Sequence, residues 1–400
     1  MFKRLLFFVC LILLSINIAF AQDSGEGWPI VERCVPEPTA PPADWTYPGV
    51  ILATGWAGLH GIRSDLNKPY VIVFTKFFNG FEWQWDFDGF LSPDNRWLVT
   101  TDETGIVSHR EPAPVPVVVN AFNVYSTLED KQEYHITWEA NYTIEAITGN
   151  GQYDYFQRIR WWDSEHLVYV NEGSQGMWKD ESKLVLINPF TGKITDLPTN
   201  FQGIMPVLLP HFLAVLSPDK TRLLYEPSIS PFFYLYDTAT QTPFSVSLEE
   251  NARWEGVPSW KPDSSQFLIR HEETDGQYSL YIHDKDGNPI ELFYRFNGST
   301  DSMHYPIENT WSKDGRYFEM YSKGEEGILY IADSLERIII NTCLNGGQEY
   351  IAWSPDETML AYSAYRPSDN DPVRILDLKR WQSYTVAYHD GSIVGWRDGN

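Results

Sequence analysis

Apolar and polar positions in this chain alternate in short runs, and the runs recur in one phrase. In Ile351-Ala352-Trp353-Ser354-Pro355-Asp356-Glu357-Thr358-Met359-Leu360-Ala361 an apolar run ends on Trp, a Ser-Pro-Asp turn follows, and a second apolar run begins. Pro presets φ for a turn position, and Asp can accept hydrogen bonds from backbone amides across the turn. The phrase therefore predicts strand, tight turn, strand. Its Asp recurs at Asp94, Asp163, Asp219, Asp263, Asp314 and Asp356, with spacings of 69, 56, 44, 51 and 42 residues. Four positions later stands an apolar residue each time: Leu98, Leu167, Leu223, Phe267, Phe318 and Leu360. Three positions before stand Trp260, Trp311 and Trp353, with Leu91 and Leu216 in the same slot. Around Asp163 the turn is a residue shorter, and Trp161 precedes the Asp by two.

A second alternating run follows each phrase and ends on Asp or Asn. The runs are Leu184 to Asn188, Phe233 to Asp237, Leu280 to Asp284, Leu329 to Asp333 and Val373 to Asp377, with Val117 to Asn120 a poorer copy. They predict a third strand entering a turn, and Leu280 to His283 has the pattern of a strand buried on both faces. No long amphipathic helical pattern occurs. A unit of about 42 residues with room for four strands has the size of a propeller blade.

These residues resemble a known repeat. Trp353-Ser354-Pro355-Asp356 and Leu216-Ser217-Pro218-Asp219 are similar to the WD40-like, TolB-type (PD40) propeller repeat, and the similarity extends over roughly residues 50 to 400. It implies an all-β β-propeller and is weak for function. TolB carries an extra α/β domain ahead of its propeller for which this sequence has no room, so TolB's own partner is not carried over.

The last residues, Ile393 to Asn400, read as a seventh copy ending just after its turn, since Asp398 lies 42 residues beyond Asp356. One strand alone would leave unpaired backbone groups. Val50 to Thr54, Leu59 to Ser64 and Tyr70 to Phe74 read as three strands able to complete that blade. The expected ring is thus seven four-stranded blades, closed by pairing the C-terminal strand with N-terminal ones. Eight would follow if Tyr134 to Ala140 and Tyr142 to Ile147, read as an inserted hairpin, form a degenerate blade. Six would follow if the N-terminal strands pack elsewhere.

The expected organisation is a signal peptide over 1–21, a Pro-rich arm or linker over 22–48 and the propeller over 49–400. Lys3 and Arg4, an apolar run from Leu5 to Ile18 and the Ala19-Phe20-Ala21 site carry the export reading, with cleavage after Ala21. The run is shorter than the ~20 residues of a spanning helix, so a secreted or periplasmic protein with no membrane span after cleavage is expected. Cleavage takes the net charge from −24 to −26 by removing Lys3 and Arg4. Such a surface repels phosphate backbones and disfavours nucleic acid. Of three cysteines, Cys34 and Cys343 survive, and in an oxidising compartment they can form one disulfide or stay two separate thiols.

Candidate chemistry gathers in segments that enter each first strand or join second to third strands. The candidate channel mouth comprises Trp85, Asp88, Arg158, His211, Arg253, Glu255, Tyr305, Glu308, Tyr350 and Arg366. Aromatics interleaved with hydrogen-bonding groups suit a glycan or a peptide. Recognised catalytic motifs are missing. Glu172-Gly173-Ser174-Gln175-Gly176 lacks the first Gly of a nucleophile elbow. The nine His show no zinc spacing, though His from different repeats can converge. Asp284-Lys285-Asp286-Gly287-Asn288 opens like a calcium loop but has Arg295 where the twelfth-position acid belongs. Asn141-Tyr142-Thr143 and Asn297-Gly298-Ser299 fit a glycosylation sequon. The expectation is a monomeric, non-catalytic, cofactor-free propeller binding a protein partner or a glycan. The alternative is a carbohydrate-active enzyme, a polysaccharide lyase or glycoside hydrolase, working at the channel.

Overall fold

The computed structural model describes residues 27–55, 58–66, 68–74, 91–104, 117–128, 135–144, 148–149, 152–153, 159–171, 183–196, 215–225, 234–240, 242–245, 253–272, 277–297, 303–304, 311–322, 327–345, 351–363, 371–389 and 392–399. The described residues are all-β, without a helix. They form seven sheets of three or more strands and one two-residue hairpin, Thr148–Gly149 with Gln152–Tyr153.

Four sheets are plain antiparallel meanders in chain order. Sheet 2 runs Ile159–Trp161, Leu167–Asn171, Lys183–Asn188, Lys193–Asp196, and sheet 3 runs Val215–Leu216, Arg222–Tyr225, Tyr234–Asp237, Thr242–Ser245. Sheet 4 runs Arg253–Trp260, Gln266–Glu272, Gln277–Asp284, Pro289–Asn297, and sheet 6 runs Ile351–Trp353, Met359–Tyr362, Asp371–Asp377, Gln382–His389. In sheet 5, Met303–His304, Tyr317–Ser322, Ile328–Asp333 and Ile338–Asn345 gain a fifth, parallel strand, Ile30–Glu32. Sheet 1 has Trp97–Thr104, Val117–Ser126 and His135–Ile144, with Leu91 bridged to Leu98 where a first strand would stand.

The seventh sheet joins the two ends of the chain. Ile393–Arg397 pairs antiparallel with Val50–Gly55, followed by Gly58–Ile62 and Tyr70–Phe74. The register sets Val50 against Arg397 and Ile51 against Trp396. All five residues of Ile393–Arg397 are buried, so the strand belongs to the interior.

The repeated apolar position explains how sheets stack. The residue four after each turn Asp is at most 1% exposed in all six copies, Leu98, Leu167, Leu223, Phe267, Phe318 and Leu360. Each lies in the second strand of its sheet, where burial of a full apolar side chain contributes ~1.5–3 kcal/mol. Leu268 and Leu280 of sheet 4 pack with Phe318 and Met320 of sheet 5. Leu329 and Ile331 of sheet 5 pack with Leu360 and Leu376 of sheet 6. Val373 and Ile375 of sheet 6 pack with Ile51 and Trp396 of the joint sheet, whose Val50 and Leu52 meet Leu91 and Leu98 of sheet 1. Trp97 of sheet 1 lies 4.6 Å from Phe190 of sheet 2. Lys220 of sheet 3 sits 4.4 Å over Trp162, and Arg222 reaches Asp286 of sheet 4 at 2.8 Å.

Two sequence expectations need correction. The third strand of sheet 1 does not end at Asn120 but continues to Ser126, and the turn that follows it is held by Thr127 N–H donating to Arg96 O at 2.9 Å. The described part of the expected hairpin is instead a single strand, His135–Ile144, antiparallel to Val117–Ser126. An irregularity between Val119 and Ala121 absorbs the residue that mimics a turn at Asn141.

The Pro-rich arm is extended, and from Gly27 onward it is strapped to the sheets. Trp28 N–H donates to Phe293 O at 2.9 Å in sheet 4, and Ile30–Glu32 lines the outer strand of sheet 5. Thr39 exchanges backbone bonds with Ser383 and Thr385 of sheet 6. Trp45 packs at a tilt 4.5 Å from Tyr384, and Tyr47 meets Trp396 of the joint sheet edge-on at 5.7 Å. Cys34 and Cys343 form a disulfide, Cα to Cα 4.8 Å, between the arm and sheet 5. The arm thereby covers edges that would otherwise expose unpaired strand groups.

Candidate functional site

The two faces of the sheet stack differ in construction. On one lie the Ser-x-Asp turns. Ser92, Ser217, Ser312 and Ser354 each donate a hydroxyl to the Asp two residues on, at 2.6–2.8 Å. The same hydroxyls accept the amides of Trp97, Arg222, Tyr317 and Met359 at 2.8–3.0 Å. The residue after the Asp is left-handed in every one of these turns and at Ser264: Asn95 φ 57, Lys220 φ 61, Ser264 φ 61, Gly315 φ 68, Glu357 φ 59. Burial is the largest single influence on Asp219, Asp314 and Asp356 and raises them. Hydrogen bonds from hydroxyls and amides together outweigh it, leaving all three carboxyls below their ordinary value.

That left-handed residue also reaches the turn of the preceding sheet. Asp219 N–H donates to Ser264 Oγ at 2.9 Å, and Asp314 N–H to Glu357 Oε2 at 2.9 Å. Lys220 Nζ lies 3.9 Å from Asp163, and Asn95 Nδ2 donates to Trp396 O at 3.2 Å. Gly315 has no side chain to extend, and Lys261 of sheet 4 fills its place. A relay of polar contacts therefore locks turn to turn around this face. The third-strand turns lie on the same face and are capped similarly: Asp237, Asp333 and Asp377 each accept two following amides. Asp284 does likewise for Asp286 and Asn288, so the calcium-like segment is a closed turn whose carboxylate is used by its own backbone.

First strands begin and second strands end on the opposite face, since the strands alternate in direction. Trp85, Asp88, Arg158, His211, Tyr305, Glu308, Tyr350 and Arg366 lie outside the described residues, as do Gly173 to Gly176 of the elbow-like stretch and the segment 1–26. Arg253 and Glu255 are described as backbone only, opening sheet 4 opposite Glu272 and Arg270.

Among the described residues this face carries one side-chain pair that sequence reasoning missed. His60 of the joint sheet and His389, the last residue of sheet 6, meet with Nδ1 to Nε2 at 2.7 Å. Their positions, 329 residues apart, share no motif, so only the closed pairing of the chain ends brings them together. Sheet 4 carries a buried aromatic cluster, with His271 4.7 Å from Tyr281 and 5.5 Å from His283. Burial lowers His271 to about 3, helped by His283, and lowers His283 to about 4. A third group of donors, Glu32, Cys34 and Cys343, lies within 4.8 Å on the surface, but the two sulfurs are bonded to each other. Arg397 is 3% exposed and donates from Nε to Thr127 O at 3.1 Å, tying the joint sheet to sheet 1.

No family model matches this chain, and no curated protein matches it. Solved structures do resemble it. The periplasmic gluconolactonase of Pseudomonas aeruginosa aligns at 13% identity and TM-score 0.47 over 88% of this chain and 98% of that one. The oligogalacturonate lyase of Vibrio parahaemolyticus aligns at 12% identity and TM-score 0.40 over 56% and 62%. TolB of Acinetobacter baumannii aligns at 15% identity and TM-score 0.39 over 69% of this chain and 62% of TolB, less than two thirds of that protein's length. All three alignments are at 15% identity or less.

Proposed function

We propose that this chain is an exported, seven-bladed propeller whose ring closes through the joint sheet, and that it binds a protein partner or a glycan without catalysis. The observation that carries the reading is the asymmetry of the two faces. The turn relay ties side chains and amides of one face to each other, leaving few groups for a ligand. The described strand ends that flank the segments bearing Trp85, Asp88, Arg158, His211, Tyr350 and Arg366 lie on the other face. Aromatic surface with polar partners is the composition of glycan and peptide sites. The cyclic succession of core contacts and the Ile393–Arg397 pairing with Val50–Gly55 support the closed ring. The signal-like segment and the disulfide support an oxidising compartment outside the cytoplasm.

The test is a glycan array and a pull-down from envelope extract with the mature protein, repeated with Trp85→Ala and Arg366→Ala. Binding that either substitution weakens at least tenfold is the expected result. Two empty screens, or binding indifferent to both substitutions, would overturn the proposal. Turnover of an oligosaccharide by the purified protein would replace it with the carbohydrate-active enzyme.

A further inference from the structure

We propose that Glu32 makes the Cys34–Cys343 disulfide a charge-selective redox site, which resists anionic thiols and yields to a thiol carrying positive charge beside its sulfur. The bond is the covalent clasp of the arm, so this selectivity decides which reductants can unfasten the arm from sheet 5.

Local structure brings the three groups together. Ile30–Glu32 runs parallel to the fourth strand of sheet 5, with Glu32 set against Asn341. The arm continues extended, Arg33 N–H donating to Asn341 O at 3.0 Å and Val35 N–H to Thr342 O at 2.8 Å. Side chains alternate along an extended chain, so Glu32 and Cys34 share one side. Arg33 takes the other, where its guanidinium lies 4.3 Å over the Trp381 ring. In sheet 5, Tyr330 faces Asn341 and Ile328 faces Asn345, so Thr342 to Leu344 bulge opposite Leu329. Cys343 stands in that bulge, left-handed at φ 59, and its N–H donates to Asn341 Oδ1 at 2.9 Å. Thr342 Oγ1 pins the bulge by donating to Leu329 O at 2.6 Å.

The product is an exposed disulfide with a carboxylate against it. Glu32 Oε1 lies 3.4 Å from Cys34 Sγ, and the carboxylate and both sulfurs fall within 4.8 Å of one another. A disulfide sulfur has no hydrogen to donate, so the contact leaves the carboxylate's charge uncompensated by it. Reduction begins when a thiolate attacks one sulfur; the S–S bond breaks, and its electron pair leaves on the other sulfur, which takes a proton. A second thiolate then attacks the mixed disulfide, freeing the remaining cysteine and releasing the reagent as its own disulfide. Attack on Cys34 brings the incoming charge to Glu32. Attack on Cys343 leaves the departing charge on Cys34, again beside Glu32. Both routes therefore meet the same repulsion, and a cationic group on the reagent offsets it.

The probes are 2-mercaptoethanesulfonate, an anionic thiol, and 2-aminoethanethiol, a cationic one, applied to the folded mature protein at neutral pH and low salt. The rate is read by quenched alkylation of Cys34 and Cys343 and peptide mass. Two unit charges about 4 Å apart in water change a rate on the order of fivefold. Glu32→Gln should therefore speed reduction by the sulfonate about fivefold and alter the rate with the amine less than about twofold. Asp44→Asn removes one charge from an exposed arm position and should change neither rate. The Glu32→Gln effect should vanish in 1 M salt, where the screening length is ~3 Å. Unchanged rates in Glu32→Gln, equal acceleration of both reagents, or the same response in Asp44→Asn would overturn the proposal.

Discussion

Acidification from pH 7 to pH 5 should cost this protein much of its stability through His271 and His283. In the folded chain burial holds them at about 3 and about 4, against 6.5 when free. Below pH 6.5 the unfolded chain takes up protons that the folded one refuses. Stability is therefore complete above 6.5 and falls as pH drops toward 4 and then 3. At pH 5 both rings are neutral in the fold and almost fully charged in the unfolded chain. The loss is about 1.5 pH units at 1.36 kcal/mol each, or about 2 kcal/mol per ring and about 4 kcal/mol for the pair. That is a large share of the ~5–15 kcal/mol typical of a domain. The turn carboxylates do not confuse the measurement, because their values lie below 3.8 and their contribution is lost only at lower pH. The assay is urea unfolding at pH 7 and pH 5 for the wild type and for His271→Phe, which keeps the stack on Tyr281. The variant should show about half the wild-type loss. An equal loss in both proteins would refute the assignment of the acid sensitivity to this cluster.

Further expectations concern the joint sheet and the turns. Trp396→Ala removes a ring 3% exposed that donates to Pro48 O at 2.7 Å, and should lower unfolding stability by ~3–5 kcal/mol in denaturant titration. Deleting 393–400 should lower the melting temperature further still, and unchanged melting would mean that the seam does not hold the fold together. Gly49→Ala should cost ~1–3 kcal/mol, since Gly49 has φ +71 and an added Cβ would stand 2.1 Å from Arg397 O. Ser354→Ala should cost only ~1–2 kcal/mol, by leaving the Met359 amide without its 3.0 Å acceptor, and its effect should stay local to one turn by hydrogen exchange.

The parts legible in sequence were those set by local chemistry repeated several times. An Asp carboxylate and an apolar residue four positions later recur in each copy, joined in four of them by the hydroxyl of Ser92, Ser217, Ser312 or Ser354, so their spacing alone located second strands and their turns. The joint sheet was legible because Trp396-Arg397-Asp398 echoes the phrase and leaves a strand without a partner. The errors fell where one strand runs long. Asn120 and Asn141 look like turn residues, yet a β-bulge lets Val117–Ser126 and His135–Ile144 pass through them. The strapping of the arm was invisible because it rests on single aromatics, Trp28, Trp45 and Tyr47, that find partners hundreds of residues away. His60 and His389 were hidden for the same reason. The mouth residues were chosen by their place in the repeat, which orders backbone direction and says nothing of side-chain geometry.

The disulfide between the arm and sheet 5 has a mechanical consequence. It makes residues 34 to 343 a covalent loop, with Val50–Gly55 inside that loop and Ile393–Arg397 outside it. Under tension applied to the two ends, sheet 6 and the Ile393–Arg397 strand of the joint sheet can peel away, but extension stops at Cys343. The 57 residues beyond it can release on the order of 200 Å of contour length. An oxidised molecule pulled in an optical trap should therefore yield a short first event and then resist, while a reduced one should unravel through all its sheets.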